Sequence, residues 1–168
     1  QGDLYWALSG KNHDGHDFVD AARRRGAIAC VVARSRATKT EEGQVAVDDT
    51  LAALADFARW YRLQRETMVI GVTGSVGKTT TREMIHAVLS ARHTGKQSQQ
   101  NYNNEVGLPL SLLELGNDDE FGVLEMGASR IGDIKQLCDI ACPEVGVLTR
   151  IGPAHLESFG SQIGRAHV

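Results

Sequence analysis

The chain has 168 residues, with 18 basic and 21 acidic side chains and a formal net charge of −3. That near balance, with both signs mixed along the chain, excludes the basic face of a nucleic-acid-binding module. No apolar run approaches the roughly 20 residues that cross a bilayer and the start lacks a basic-then-apolar leader, so a cytoplasmic protein with no nucleic-acid or membrane partner is expected.

From Asp3 to Val47 the hydrophobic pattern predicts strand, helix, strand, strand: Leu4 to Leu8, Phe18 to Arg25, Ile28 to Val32 and Val45 to Val47. This reads as a small α/β unit. Gly10 to Gly15 interrupts it as a polar loop, and Gly26 closes the first helix. Asp49 or Thr50 caps a helix whose apolar residues Leu51, Leu54, Ala55, Ala58 and Tyr61 recur at helical spacing. On that helix Trp60 and Tyr61 are expected to pack rather than to stack on a base. The polar run Arg62 to Thr67 places a domain boundary near Arg65.

A second unit follows. Strand Met68 to Thr73, a Gly-rich loop, helix Thr79 to Ala91, a polar stretch Gly95 to Asn104 and a helix around Leu110 to Leu115 come first. Strand Gly122 to Glu125, helix Ile131 to Ile140 and strand Val145 to Leu148 complete the order. Such alternation predicts a mostly parallel sheet with crossover helices, the fold class of a P-loop NTPase. Cys30, Cys138 and Cys142 sit in apolar settings without a second ligand pair, and are read as core thiols rather than zinc ligands. Residues 163–168 finish no pattern and resemble the read-through translation of a sequencing adapter. The expected organisation is therefore 1–65, 66–161 and a non-native tail at 162–168, a fragment cut at both ends.

The strand ending in Thr73 runs into Gly74-Ser75-Val76-Gly77-Lys78-Thr79-Thr80 and then an amphipathic helix. Glycines let successive backbone N–H groups turn inward as an anion nest, and the helix N-terminus adds partial positive charge. Lys78 is then expected to reach the β- and γ-phosphates of ATP or GTP, and the Thr79 hydroxyl to reach Mg²⁺. The glycines fall at 71, 74 and 77, with Val72 where the strict P-loop pattern has its first Gly. Two further motifs emerge from predicted strand ends. Glu125, before Met126-Gly127-Ala128, is a candidate Mg²⁺ ligand, direct or through water. His155, in Ala154-His155-Leu156-Glu157-Ser158-Phe159-Gly160-Ser161, is as readily structural as functional. Asn101 to Pro109 is amide-rich and read alone is equally a capped loop.

Together these motifs resemble the Mur ligase family, and Gly2 to Gly10 with Asp14 to Phe18 is similar to its domain that holds the UDP-sugar end of the substrate. Glu125-Met126-Gly127-Ala128 with Gly132-Asp133-Ile134 resembles the branch that adds D-alanyl-D-alanine to UDP-N-acetylmuramoyl-tripeptide. The resemblance implies ATP-dependent peptidoglycan precursor synthesis through an acyl phosphate, with Lys78, Glu125 and His155 catalytic. It implies that Gly74, Ser75, Val76, Gly77, Lys78, Thr79 and Thr80 hold the nucleotide, and that Thr79, Glu125 and His155 hold metal. Asn103 and Asn104 are implied to line the crevice for the peptide end, and Lys11, Asn12 and His13 to meet uracil or diphosphate. A metal-bridging carbamylated lysine and a C-terminal domain are implied beyond Ser161. The chain alone is therefore expected to be inactive, and the complete protein to be a monomer. Two alternatives stay open: another ligase of the superfamily, adding the third residue or resembling cyanophycin synthetase, and a nucleotide-binding module without catalysis.

Overall fold

The computed structural model describes residues 2–10, 12–38 and 43–152. They divide into two compact units, the first ending at Leu54 and the second beginning at Ala55.

In the first unit β1 (Leu4–Trp6), β2 (Ala29–Ala33) and β3 (Gln44–Val47) form a parallel sheet in the order β1-β2-β3. A 3-10 turn at Gly15–Phe18 leads into α1 (Val19–Arg24), so the expected helix starts one residue later than Phe18. Gly26 at φ +97° lets the chain reverse after it. Ala7, Val19, Cys30 and Val32 form the core. A second short 3-10 turn, Arg34–Arg36, was not legible, because three polar or small residues carry no periodicity.

Helix α2 (Thr50–Leu63) begins where the Asp49 carboxylate accepts the N–H groups of Leu51 and Ala52, at 2.8 and 3.0 Å. Asp49, not Thr50, is the cap. The two units divide inside this helix, earlier than the expected boundary near Arg65, because Ala55 and Ala58 pack into the core of the second unit. Trp60 corrects an expectation: it is 56% exposed and stacks on Phe57 at 5.8 Å between centroids. It points away from the stripe of Ala58, Tyr61 and Arg62, whose Tyr61 hydroxyl donates to the Leu115 carbonyl at 2.7 Å.

In the second unit β4 (Met68–Thr73), β5 (Gly95–Gln97), β6 (Phe121–Glu125) and β7 (Val145–Leu148) form a parallel sheet in the order β5-β6-β4-β7. Helices α3 (Lys78–Leu89), α4 (Gly107–Leu113) and α5 (Asp133–Ala141) alternate with these strands. The α/β class with parallel sheets is the one the alternation predicts. The strand β5 is the addition: its Gly-Lys-Gln is too polar and short to read as a strand, and its pairing with β6 makes it one. Leu108, Leu112, Leu115, Leu124 and Met126 fill one face of the sheet, each contributing about 1.5–3 kcal/mol by burial. Phe121, Val123, Ile70 and Val72 fill another cluster, against Ile85 and Leu89 of α3. Cys30 is buried, Cys138 packs against the larger core with its thiol pushed up by burial, and Cys142 ends α5 at φ 44°. Among the described residues no group of three or more His, Cys, Asp or Glu is placed to hold a metal.

Arg62, the first residue of the polar run, is part of α2 and buried. Its Nε donates to the Ala141 carbonyl at 3.1 Å, Nη1 to the Arg65 carbonyl at 3.2 Å, and Nη2 pairs with Glu144. The other Glu144 oxygen accepts the Val69 N–H at 2.7 Å, so one ion pair ties α2, the end of α5 and the start of β4.

Candidate functional site

The register of the second sheet brings the carboxyl ends of β4, β6 and β7 together, with Val72 opposite Glu125 and Thr73 opposite Leu148. Ligands of parallel sheets bind at such ends. Between Thr73 and Lys78 the chain turns through Gly74 at φ +139° and Gly77 at φ +88°, the latter capping α3 in left-handed conformation. The N–H groups of Lys78, Thr79 and Thr80 open the helix, where no intrahelical acceptor exists, so they suit an anion.

The turn is held from behind by the segment after β7. Thr149 N–H donates to the Thr73 carbonyl at 2.9 Å and its hydroxyl to the Val76 carbonyl at 2.7 Å. Ser75 N–H donates to the Arg150 carbonyl at 2.7 Å, and the Ser75 hydroxyl exchanges hydrogen bonds with Gly152 at 3.0 and 2.9 Å. A side chain at position 74 would overlap the Thr149 hydroxyl and come within 3.0 Å of Arg150 N. Only glycine fits.

Lys78 lies beside the turn, its Nζ donating to the Gly74 carbonyl at 2.9 Å. Next along α3, the Thr79 hydroxyl donates to Glu125 Oε2 at 2.8 Å. Asn103 Nδ2 donates to Oε1 at 3.0 Å, and the Glu125 N–H donates to the buried Ser98 hydroxyl, also at 3.0 Å. Arg82, three residues after Thr79 and so on the same helix face, sets its Nη1 3.7 Å from Oε2. The donor set fits magnesium: one carboxylate and one hydroxyl, both hard oxygens, leave the remaining positions to water and phosphate oxygens.

Every residue of the expected loop, Gly74 to Thr80, is in this turn or the first turn of α3, and Glu125 faces it. Val76 and Thr80 are exposed. Asn103 reaches the carboxylate. Asn104 does not: its side chain accepts the N–H groups of Val106 and Gly107, at 3.2 and 2.9 Å, and so caps the entry to α4. In the first unit Asn12 and His13 are exposed in a turn closed by Gly10 N–H to the His13 carbonyl at 2.8 Å. Lys11 and His155 lie outside the described residues. The sequence reading missed Arg82, Ser98 and Thr149. Only Arg82 carried a signal, its spacing from Thr79.

Behind the Asn12–His13 turn, Asp14 Oδ1 accepts both the His16 N–H at 3.0 Å and the ring Nδ1–H at 2.6 Å. His16 Nε2 in turn accepts the Ala33 N–H at 2.8 Å, which places the ring proton on Nδ1. The His16 backbone bond, then its side-chain bond, hold the Asp14 carboxyl down at about 2.

Residues 72–164, which include the glycine turn and Glu125, match the Mur ligase middle domain. The chain belongs to the Mur ligase family. Curated relatives in it are the UDP-N-acetylmuramoyl-tripeptide–D-alanyl-D-alanine ligases of Synechocystis sp., 45% identical over 166 residues, and of Bacillus subtilis, 44% identical over 167. These alignments cover 98% and 99% of this chain but 37% and 36% of the relatives, so the chain spans little more than a third of their length. Among solved structures, MurF from Acinetobacter baumannii superposes with a TM-score of 0.91 at 36% identity, over 99% of this chain and 36% of that one. MurF ligase from Thermotoga maritima in complex with ADP gives 0.88 at 43% identity, over 98% and 38%.

Proposed function

We propose that this chain is the nucleotide-holding front of a ligase that uses ATP to join D-alanyl-D-alanine to UDP-N-acetylmuramoyl-tripeptide. The observation that carries the reading is the Thr79–Glu125 hydrogen bond beside a glycine turn that admits no side chain. The names of the relatives, and the ADP held by one structural neighbour, support the substrates. ATP supplies a phosphoryl group that converts a poor carboxylate leaving oxygen into a good one, which the dipeptide amine then displaces. Magnesium supplies neutralisation of phosphate charge.

The chain's own residues position and neutralise. The open N–H groups of α3 receive phosphate oxygens, and Lys78 exchanges its Gly74 contact for the β- and γ-phosphates. Thr79, by donating its proton to Glu125, turns its lone pairs outward to a cation. Asn103 holds the carboxylate against rotation, and Ser98 anchors the Glu125 backbone behind it. His155 is assigned a second metal, and Lys11, Asn12 and His13 the UDP end, with residues 1–65 serving the UDP-muramoyl-peptide and 66–161 serving ATP. No helix among the described residues is long and apolar enough to cross a membrane. A cytoplasmic, monomeric complete enzyme completes the proposal.

The test is ADP release by the complete ligase carrying this chain, with each substrate omitted in turn. Release that needs both UDP-N-acetylmuramoyl-tripeptide and D-alanyl-D-alanine is expected, with none from the 168-residue chain alone. Release with a single amino acid and the dipeptide precursor instead would assign the third-residue-adding ligase. D-alanyl-D-alanine-dependent turnover by the short chain would show it to be complete.

A further inference from the structure

Arg82 is the unexpected charge at this site. Its side chain is 4% exposed, as isolated from water as the Glu125 side chain at 7%. The guanidinium is fixed from several sides: Nε donates to Gln97 Oε1 at 3.2 Å, Nη1 to the Gln99 carbonyl at 3.4 Å and Nη2 to Glu83 at 3.4 Å. These bonds hold it beside Glu125.

We propose that Arg82 is a positioning residue that makes cation capture at Thr79 and Glu125 conditional on the nucleotide. This rests on the nucleotide reading given above. Glu125 is the one carboxylate placed against Thr79 among the described residues, and its charge is already balanced by Arg82 at 3.7 Å. A divalent ion approaching alone would exchange several waters for two protein oxygens and meet a fixed positive charge in a poorly screened site. The charge that Arg82 cancels must come from elsewhere, and phosphate oxygens at the α3 N-terminus supply it. The cation therefore enters with the phosphates and not before them.

The measurement is Mn²⁺ binding by electron paramagnetic resonance to the complete ligase carrying this chain, with and without a non-hydrolysable ATP analogue. The unsubstituted protein should bind Mn²⁺ here with the analogue only. Arg82→Gln should raise nucleotide-free Mn²⁺ affinity about tenfold or more, because a unit charge close to the ion is gone. Arg82→Lys keeps the charge and should stay at the unsubstituted level, and adding Glu125→Gln to Arg82→Gln should abolish the gain. Arg82→Met serves identically if the glutamine variant does not fold. Unchanged or weaker nucleotide-free binding in the neutral variants would overturn the proposal alone. So would an equal gain in Arg82→Lys, or a gain that survives Glu125→Gln. Failure of the unsubstituted protein to take Mn²⁺ with the analogue would overturn the nucleotide reading and this proposal with it.

Discussion

The Thr79 hydroxyl donates to Glu125 Oε2 at 2.8 Å across 46 residues of chain, joining the first turn of α3 to the end of β6. This bond aims the threonine oxygen. Thr79→Val keeps the shape and removes both donor and lone pairs. We expect kcat of the complete ligase to fall about 100-fold or more, the size of losing one preorganised electrostatic contact, while Thr79→Ser stays within about fivefold. Equal activities for the two variants would sink the assignment.

Gly74→Ala tests the turn itself. The new methyl meets the Thr149 hydroxyl and the Arg150 backbone at a φ of +139°, so the loop must move or the chain must strain. A loss of about 1–3 kcal/mol in chemical denaturation is expected, together with weakened nucleotide binding. Combining it with Thr149→Ala should not restore binding, since the Arg150 contact is backbone. Full rescue by that second substitution would show that only the hydroxyl was in the way.

Arg62→Met should destabilise the second unit without touching the glycine turn before α3. It leaves the Ala141 carbonyl without its Arg62 donor and Glu144 without its cation, a cost of about 2 kcal/mol given that Glu144 is half exposed. Urea unfolding should show the shift, and nucleotide affinity measured below the transition should be unchanged.

Acid should act on the first unit through Asp14. Its carboxyl titrates at about 2 when folded and at the ordinary 3.8 when unfolded, because the His16 N–H and ring bind the charged form. A depressed carboxylate contributes stability that is complete above 3.8 and is lost as the pH falls from there toward 2. Asp14→Asn should flatten the pH dependence of unfolding in that window. An unaltered slope would show that the bond does not persist in solution.

The sequence by itself determined the alternation of strands and helices, because hydrophobic period and capping residues such as Asp49 are local. It also determined the turn before α3, since the glycines at 74 and 77 are a backbone requirement written in residue types. It placed Glu125 at a strand end but not what holds it there. Asn103 and Asn104 looked alike in sequence. Only the fold separated them, turning one side chain to Glu125 and the other to the N–H groups of α4. Nothing local marks Arg62 or Arg82 for burial, yet both are buried, because carbonyls and carboxylates from distant segments converge on them. The strand β5 and the Thr149–Gly152 support of the turn were equally invisible. Each depends on pairing with residues far along the chain, and no local pattern encodes a long-range partner.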